Sequence, residues 1–279
     1  MAVPGNDALT PPPEVQRYYA DFPEESRLAS GPSRLEFERT KDVLSRVLPK
    51  PPCRVVDVGG AAGAYALWLA ERGYEVHLVD ASPRLVEEAR RRTAGLAKPI
   101  ASISLGDARC LSRPDGSADA VLMMGPLYHL PVAGDRVIAL REAARVLTVH
   151  GVVVAAAISR YASALDGLAR KLSRDPRFVA MRDRDLADGQ HRNETDNPDY
   201  FTTSYFHRPA DLVQEIEAAG FQDVSVLGVE GPGWMLADLD ARWDDAALRQ
   251  DLLDVARALE REPSIIGASS HLLGVGRNA

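Results

Sequence analysis

From Cys53 to Ser159, short apolar runs alternate with amphipathic stretches. The runs Arg54–Val58, Glu75–Val79, Ile100–Ser104, Ala120–Met124 and Val152–Ile158 predict strands, and Ala64–Arg72, Pro83–Thr93 and Arg136–Leu147 predict the helices between them. Strict strand–helix alternation forces successive strands to run the same way, so the pattern calls for an α/β fold with a parallel sheet covered by helices on both faces. Ahead of it, Val15, Tyr18, Tyr19, Phe22, Leu28, Leu35, Phe37, Val43, Leu44 and Val47 recur at helical intervals, broken by Pro23 and Gly31-Pro32. Two or three short helices are expected there, closed by Pro49, Pro51 and Pro52.

After Ser159 the rhythm is interrupted. Tyr161–Leu172 reads as helix, whereas Asp183–Tyr200, with Gly189 and Pro198 inside it, is polar enough to be expected outside any core. The pattern resumes with helix Arg208–Gly220, strand Asp223–Val229, helix Asp244–Glu260 and a last strand, His271–Val275. The expected organisation is a disordered Pro-rich tail (1–13), a helical cover (14–52) and one domain (53–279) that carries a long insertion (160–206).

Composition narrows the function. Of 279 residues, 46% are hydrophobic and 26% charged, which excludes disorder as the dominant state. Lys plus Arg number 33 against 40 Asp plus Glu, and a formal charge of -7 repels a phosphate backbone, so no nucleic-acid partner is expected. Cys53 and Cys110 are too few and too scattered for a disulfide framework, which favours a reducing compartment. With no apolar run of the roughly 20 residues a membrane span needs, the chain is expected to be soluble and cytoplasmic, with no membrane partner.

The candidate chemistry begins where Val55-Val56-Asp57-Val58 runs into Gly59-Gly60-Ala61-Ala62-Gly63. Small residues there let a ligand approach the backbone, and the N–H groups of the turn and helix start can meet its polar groups. A dinucleotide fingerprint needs a second glycine where Ala61 stands, and a Walker loop needs a Gly-Lys-Ser/Thr that does not follow. A third pattern fits: Asp57 two residues before the turn, and Asp80 at the end of the next strand, about twenty residues beyond it.

These residues resemble the class I S-adenosylmethionine-dependent methyltransferases of bacterial small-molecule type, whose first motif is an acid followed by G-x-G-x-G. Ala61 at the middle glycine is the departure. The resemblance spans about residues 14–279, is strongest over Arg54–Gly151, and implies a Rossmann-like seven-stranded sheet, strands one to five parallel and the last strand antiparallel to its neighbours. It also implies S-adenosylmethionine as cofactor, S-adenosylhomocysteine as product, and a crevice that draws on Asp57, Gly59, Gly60, Ala61 and Gly63. Asp80, with Ala81, is placed to accept the ribose hydroxyls, its alternative being a helix cap shared with Ser82. Asp107 and Ala108 would meet the adenine, a plain turn aspartate being the alternative. Tyr19, Arg27 and Arg34 resemble the segment that folds over the cofactor and meets its carboxylate, though surface ion pairing would explain the arginines equally.

The fourth strand opens through Met124 and Gly125 into Pro126-Leu127-Tyr128-His129. Ligands of open α/β sheets sit beyond the carboxyl ends of the strands, so this loop should face the reacting methyl. His129 is the candidate for moving a proton, or else a packed loop histidine, and Tyr128 is a pocket wall. Tyr200, Phe201, Tyr205 and His207 belong to an aromatic cluster in a chain with only 6% aromatics and are expected to wall a small organic acceptor, the alternative being that Phe201, Tyr205 and Phe206 only anchor the insertion, while Trp234 within 231–235 is expected to add another pocket edge. His191-Arg192-Asn193-Glu194 lacks metal-ligand spacing and reads as a solvated loop, and no metal is expected. Arg90-Arg91-Arg92 reads as a helix-end charge cluster that needs no ligand. The resemblance implies methyl transfer to a small organic acceptor, to oxygen or nitrogen, as the expected activity. A non-catalytic sensor of the same ligand and a nicotinamide oxidoreductase are the competing classes, and a homodimer is possible.

Overall fold

Val55 to Val58 are buried on both sides because β1 (Arg54–Val58) lies at the sheet centre, parallel to β2 (Glu75–Asp80) on one edge and β4 (Ala118–Met123) on the other. The computed structural model describes residues 12–21, 27–28, 31–195 and 197–279. The tail expected over 1–13 therefore lies mostly outside the described residues, and Pro13 itself opens α1 (Pro13–Asp21). Helix α2 (Pro32–Val47) completes the described helices ahead of the sheet.

Among the described residues the sheet has nine strands, in the order β3 (Ser102–Leu105), β2, β1, β4, β5 (Leu147–Ser159). Beyond β5 lies β9 (His271–Arg277), antiparallel to it, and then β8 (Gln222–Gly228), antiparallel to β9. Two reversals restore direction, so β8 runs with the first five strands. These are the seven strands expected from the sequence. The insertion adds the other two: β7 (Ser204–His207) pairs in parallel with Ile158 and Ser159 of β5, and β6 (Gln190–His191) is antiparallel to β7.

Side chains alternate across each strand, so the sheet splits its apolar residues between two layers. Val55, Ala120, Leu122 and Val154 pack against α2 and α3 (Ala64–Glu71), while Val56, Val121, Met123 and Val153 pack against α5 (Ala133–Val146) and α8 (Pro209–Ala218). Helix α4 (Pro83–Thr93) covers β2 and β3. Between β8 and β9 the chain forms α9 (Leu239–Asp244) and α10 (Ala246–Leu259). No helix among the described residues is long and apolar enough to cross a membrane.

The insertion corrects one expectation. Asp183–Tyr200 is not peripheral: α6 (Ala162–Ala169) and α7 (Pro176–Asp188) bring Ser163, Asp185 and His191 together, all buried. The Ser163 hydroxyl donates to Asp185 (2.5 Å), the same carboxylate meets His191 Nδ1 (2.9 Å), and His191 Nε2 donates to the Tyr200 carbonyl (2.8 Å). Polar residues enter a core when they satisfy one another, and composition alone does not show which will.

Helix α2 is fastened to the far end of the chain by charge. Arg39, almost fully buried, donates to Glu260 (2.6 Å) and to the Val229 carbonyl (3.2 Å), and also pairs with Asp42. Breaking a buried pair leaves an uncompensated charge and costs about 3 kcal/mol or more. Arg39→Ala should therefore lower unfolding free energy by about 3 kcal/mol in urea titrations, and a loss below about 0.5 kcal/mol would show that α2 is held by its apolar face alone.

Candidate active site

At the carboxyl edge of the sheet, the chain turns from β1 into α3 through Gly59–Gly63. The Gly59 N–H donates to the Val79 carbonyl (2.8 Å) with φ at 72°, and a Cβ there would lie 2.6 Å from Pro126 Cδ. Glycine is required by both conformation and space. Ala61 has φ 48°, a left-handed conformation that costs an L-residue roughly 1 kcal/mol, and its N–H donates to Asp80 Oδ2 (2.8 Å). The middle position of the motif thus keeps its glycine-like backbone although it carries a methyl group.

In front of this turn lies a crevice of about 480 Å³, within the range of small-molecule sites. Gly59, Gly60 and Ala61 line it from the turn, Asp80 and Ala81 from the end of β2, Asp107 and Ala108 from the end of β3, and Met124 and Gly125 from the end of β4. Tyr19 and Arg27 close it from the N-terminal side. Asp80 also accepts from the Ser82 N–H (2.8 Å), so ligand-facing and turn-holding positions coincide in one carboxylate. The Asp107 carboxylate takes three hydrogen bonds from Arg109, between 2.7 and 3.0 Å, and so acts as a turn aspartate as well as a crevice wall.

Asp57 and Gly63 do not line the crevice. Asp57 is fully buried beneath the turn, neither carboxylate oxygen has a hydrogen-bond partner, and burial, aided by the charge of Asp80, raises its pKa to about 7. Gly63 caps α3.

The other end of the crevice is aromatic. Tyr128 and His129 occupy a short turn after β4, the Tyr128 hydroxyl donates to the Met124 carbonyl (3.0 Å), and the Tyr19 hydroxyl lies 2.8 Å from His129 Nε2. Phe201 packs on His129 at 5.8 Å between ring centroids. Burial lowers the His129 pKa to about 4, a backbone contact with Thr203 opposing in part, so the ring is neutral at physiological pH.

Several expected residues are placed elsewhere. Arg34 faces Asp244 (3.8 Å) rather than the crevice. Tyr200 packs on Phe178 and donates to Asp175 (3.0 Å), and the Trp234 indole donates to the Ala268 carbonyl (2.9 Å). Tyr205 lies under the Arg136 guanidinium, and His207 is buried against Glu215 (3.1 Å). Of the aromatics expected to wall an acceptor, these four hold structure together instead: the Tyr200 and Tyr205 hydroxyls, the Trp234 N–H and His207 Nε2 each meet an internal partner.

Other crevice residues escaped sequence reasoning. Tyr65 enters from the first turn of α3, and Arg84 lines the crevice while holding the Tyr19 carbonyl (3.0 Å). Arg92, expected to be a helix-end charge, reaches the Ala62 carbonyl (2.9 Å) and also lines the crevice. A basic residue at a helix end gave no signal that it folds back over the turn.

One group of potential metal-ligating side chains occurs among the described residues: Glu36, Glu230 and His271. Arg27 donates to both oxygens of Glu36 (2.6 and 3.0 Å), and His271 lies 2.5 Å from Glu230. Against the penalty of burial, Glu36 and Glu230 raise the His271 pKa to about 9, so two carboxylates are balanced by a guanidinium and an imidazolium. This quartet satisfies its own charges and anchors Arg27 at the crevice edge.

Asp57 gives the ligand-free protein a pH signature. Its unfolded form ionises near 3.8 and its folded form near 7, so its stability penalty is absent below the first value, grows between them and is complete above the second. Asp57→Asn should gain on the wild type over that interval, by on the order of a few kcal/mol at neutral pH, in unfolding curves taken across a pH series. A gap that does not change with pH would mean the carboxyl finds a partner in solution.

Comparison with known proteins places this geometry. A family model described as a methyltransferase domain matches residues 55–151. A glycine/sarcosine N-methyltransferase of Parasynechococcus marenigrum is 32% identical over 143 residues, covering 50% of this chain and 50% of that protein. The chain thus spans about half the length of that relative. A demethylmenaquinone methyltransferase of Deinococcus radiodurans is 31% identical over 180 residues, covering 64% of this chain and 71% of that one. In fold, a solved methyltransferase of Thermotoga maritima, described as a possible histamine N-methyltransferase, superposes with a TM-score of 0.59 at 18% identity, over 95% of this chain and 100% of that chain. With a glycine turn, a carboxylate at the end of β2 and a reversed β9 in the expected order, the chain belongs to the class I S-adenosylmethionine-dependent methyltransferases.

Proposed function

We propose that this chain transfers a methyl group from S-adenosylmethionine to the oxygen or nitrogen of a small organic acceptor. One observation carries the reading: a single crevice has the glycine-rich turn and Asp80 at one end, and the Tyr19–His129 pair at the other. The cradle fits the cofactor, since a Cβ on Gly59 or Gly60 would strike Pro126 or Asp57. Asp80 would hold the ribose, Asp107 and Ala108 the adenine, and Arg27, steadied by Glu36, the methionine carboxylate. S-adenosylmethionine, when bound, supplies an electrophilic methyl on a sulfonium that is already a good leaving group.

The chain's own contribution is mainly to position the acceptor and exclude water. Tyr128 walls the acceptor, and Phe201, which does not line the crevice, backs the His129 ring. Tyr19 and His129 take the proton that its nucleophile sheds: the bond from nucleophile to hydrogen breaks toward the Tyr19 oxygen as the phenol proton passes to His129 Nε2. The relatives, named as glycine/sarcosine and demethylmenaquinone methyltransferases, support a small acceptor.

Release of S-adenosylhomocysteine measured over a panel of phenols and amines tests the activity. Acceptor-dependent release is expected, and cofactor binding with no release on any acceptor would favour a sensor. Tyr19→Phe and His129→Ala should each lower kcat by about a hundredfold for acceptors whose nucleophile carries a proton. Because the His129 base form persists above its pKa of about 4, no fall in kcat with a midpoint near 6.5 should belong to this group. An acid limb near 6.5 that disappears in His129→Ala would contradict the buried, neutral imidazole.

A further inference from the structure

Arg136 sits in the first turn of α5 and is 2% exposed. A buried guanidinium is tolerated only when its donors are met, and here they are met by groups that converge from three parts of the chain. Nε and Nη2 donate to the Glu215 carboxylate of α8 (2.9 and 2.6 Å), Nη1 donates to the carbonyls of Leu130 (2.8 Å) and Pro131 (2.9 Å), and the plane lies 3.7 Å from the Tyr205 ring centroid of β7.

Leu130 and Pro131 directly follow His129. A salt bridge to Glu215 alone would fasten α5 to α8, and an apolar pair of similar volume could do that as well. The fork does more. It fixes two successive carbonyls of the loop whose preceding residue meets Tyr19, and Gln190 of the insertion adds a second tie to Pro131 (3.0 Å). Resting on the acceptor-side role of His129, we propose that Arg136 is a positioning residue: it acts on methyl transfer through His129, by setting the backbone that aims the imidazole at Tyr19 and the acceptor.

Arg136→Lys tests this, since an ammonium keeps the charge but cannot span a carboxylate and two carbonyls in one plane. In the full-length protein, kcat should fall by about tenfold to a hundredfold while the S-adenosylmethionine Kd stays within about twofold, because the glycine turn and Asp80 are untouched. In a His129→Ala background the same substitution should cause no further loss of kcat. A full additional loss there would overturn the proposal, because Arg136 would then act independently of His129.

Nitrogen NMR of the His129 ring, assigned with the His129→Ala variant, should show an altered signal in Arg136→Lys, and an unchanged signal would overturn the proposal directly. If Arg136→Lys does not fold, Glu215→Gln, which loosens the same fork, should give the same pattern, and a wild-type pattern from it would overturn the proposal. Failure of the acceptor-side reading is separately visible, as a His129→Ala variant with unchanged kcat, and the NMR comparison still decides the role of Arg136.

Discussion

At the carboxyl edge of the sheet, the Gly59 backbone passes so close to the Pro126 ring that no side chain fits between them. Gly59 meets Pro126 at a distance that excludes a Cβ, and the Met124 N–H donates to the Val58 carbonyl (3.2 Å) just behind. This contact joins the glycine turn to the Tyr128–His129 loop, two walls of one crevice. Parallel pairing of β1 with β4 places both strand ends at one level, and the crevice opens where they meet. A side chain at Gly59 would separate the two halves, so the rest of the site depends on this approach.

Electrostatics around the contact are arranged with little free charge at its aromatic end. His129 is neutral through burial, whereas Arg27 and Arg84 bind Glu36 and the Tyr19 carbonyl, respectively. Helix α1 is tied to the crevice twice, through Arg84 to its backbone and through His129 to the Tyr19 hydroxyl. The N-terminal segment thereby supplies half of the Tyr19–His129 pair, and its docking and the assembly of that pair are one event.

Much of this was legible in the sequence, for physical reasons. Buried parallel strands cannot avoid continuous apolar runs, so β1, β2, β4 and β5 announce themselves, and the turn at Gly59 is marked by residues that only a close approach explains. Asp80, Asp107 and His129 follow from their places at strand ends. Legibility fails where a residue's role depends on a partner distant in the chain. Asp185 and His191 read as solvated yet lie buried in mutual hydrogen bonds, while Tyr205, which reads equally as acceptor wall or anchor, and His207, which reads as an acceptor wall, serve Arg136 and Glu215. Arg136 itself carried no signal, because its meaning lies in carbonyls five and six residues away and a carboxylate on another helix.

Isothermal titration of S-adenosylmethionine into the wild-type chain and into Gly59→Val tests the dependence of the site on that backbone approach most directly. The wild type should bind one equivalent, and the variant, folded by circular dichroism, should lose binding by at least about a hundredfold, in line with the loss of an atom-level fit at the turn. No heat from the wild type, or equal affinity in a folded variant, would contradict the reading of this crevice as the methyl donor's site.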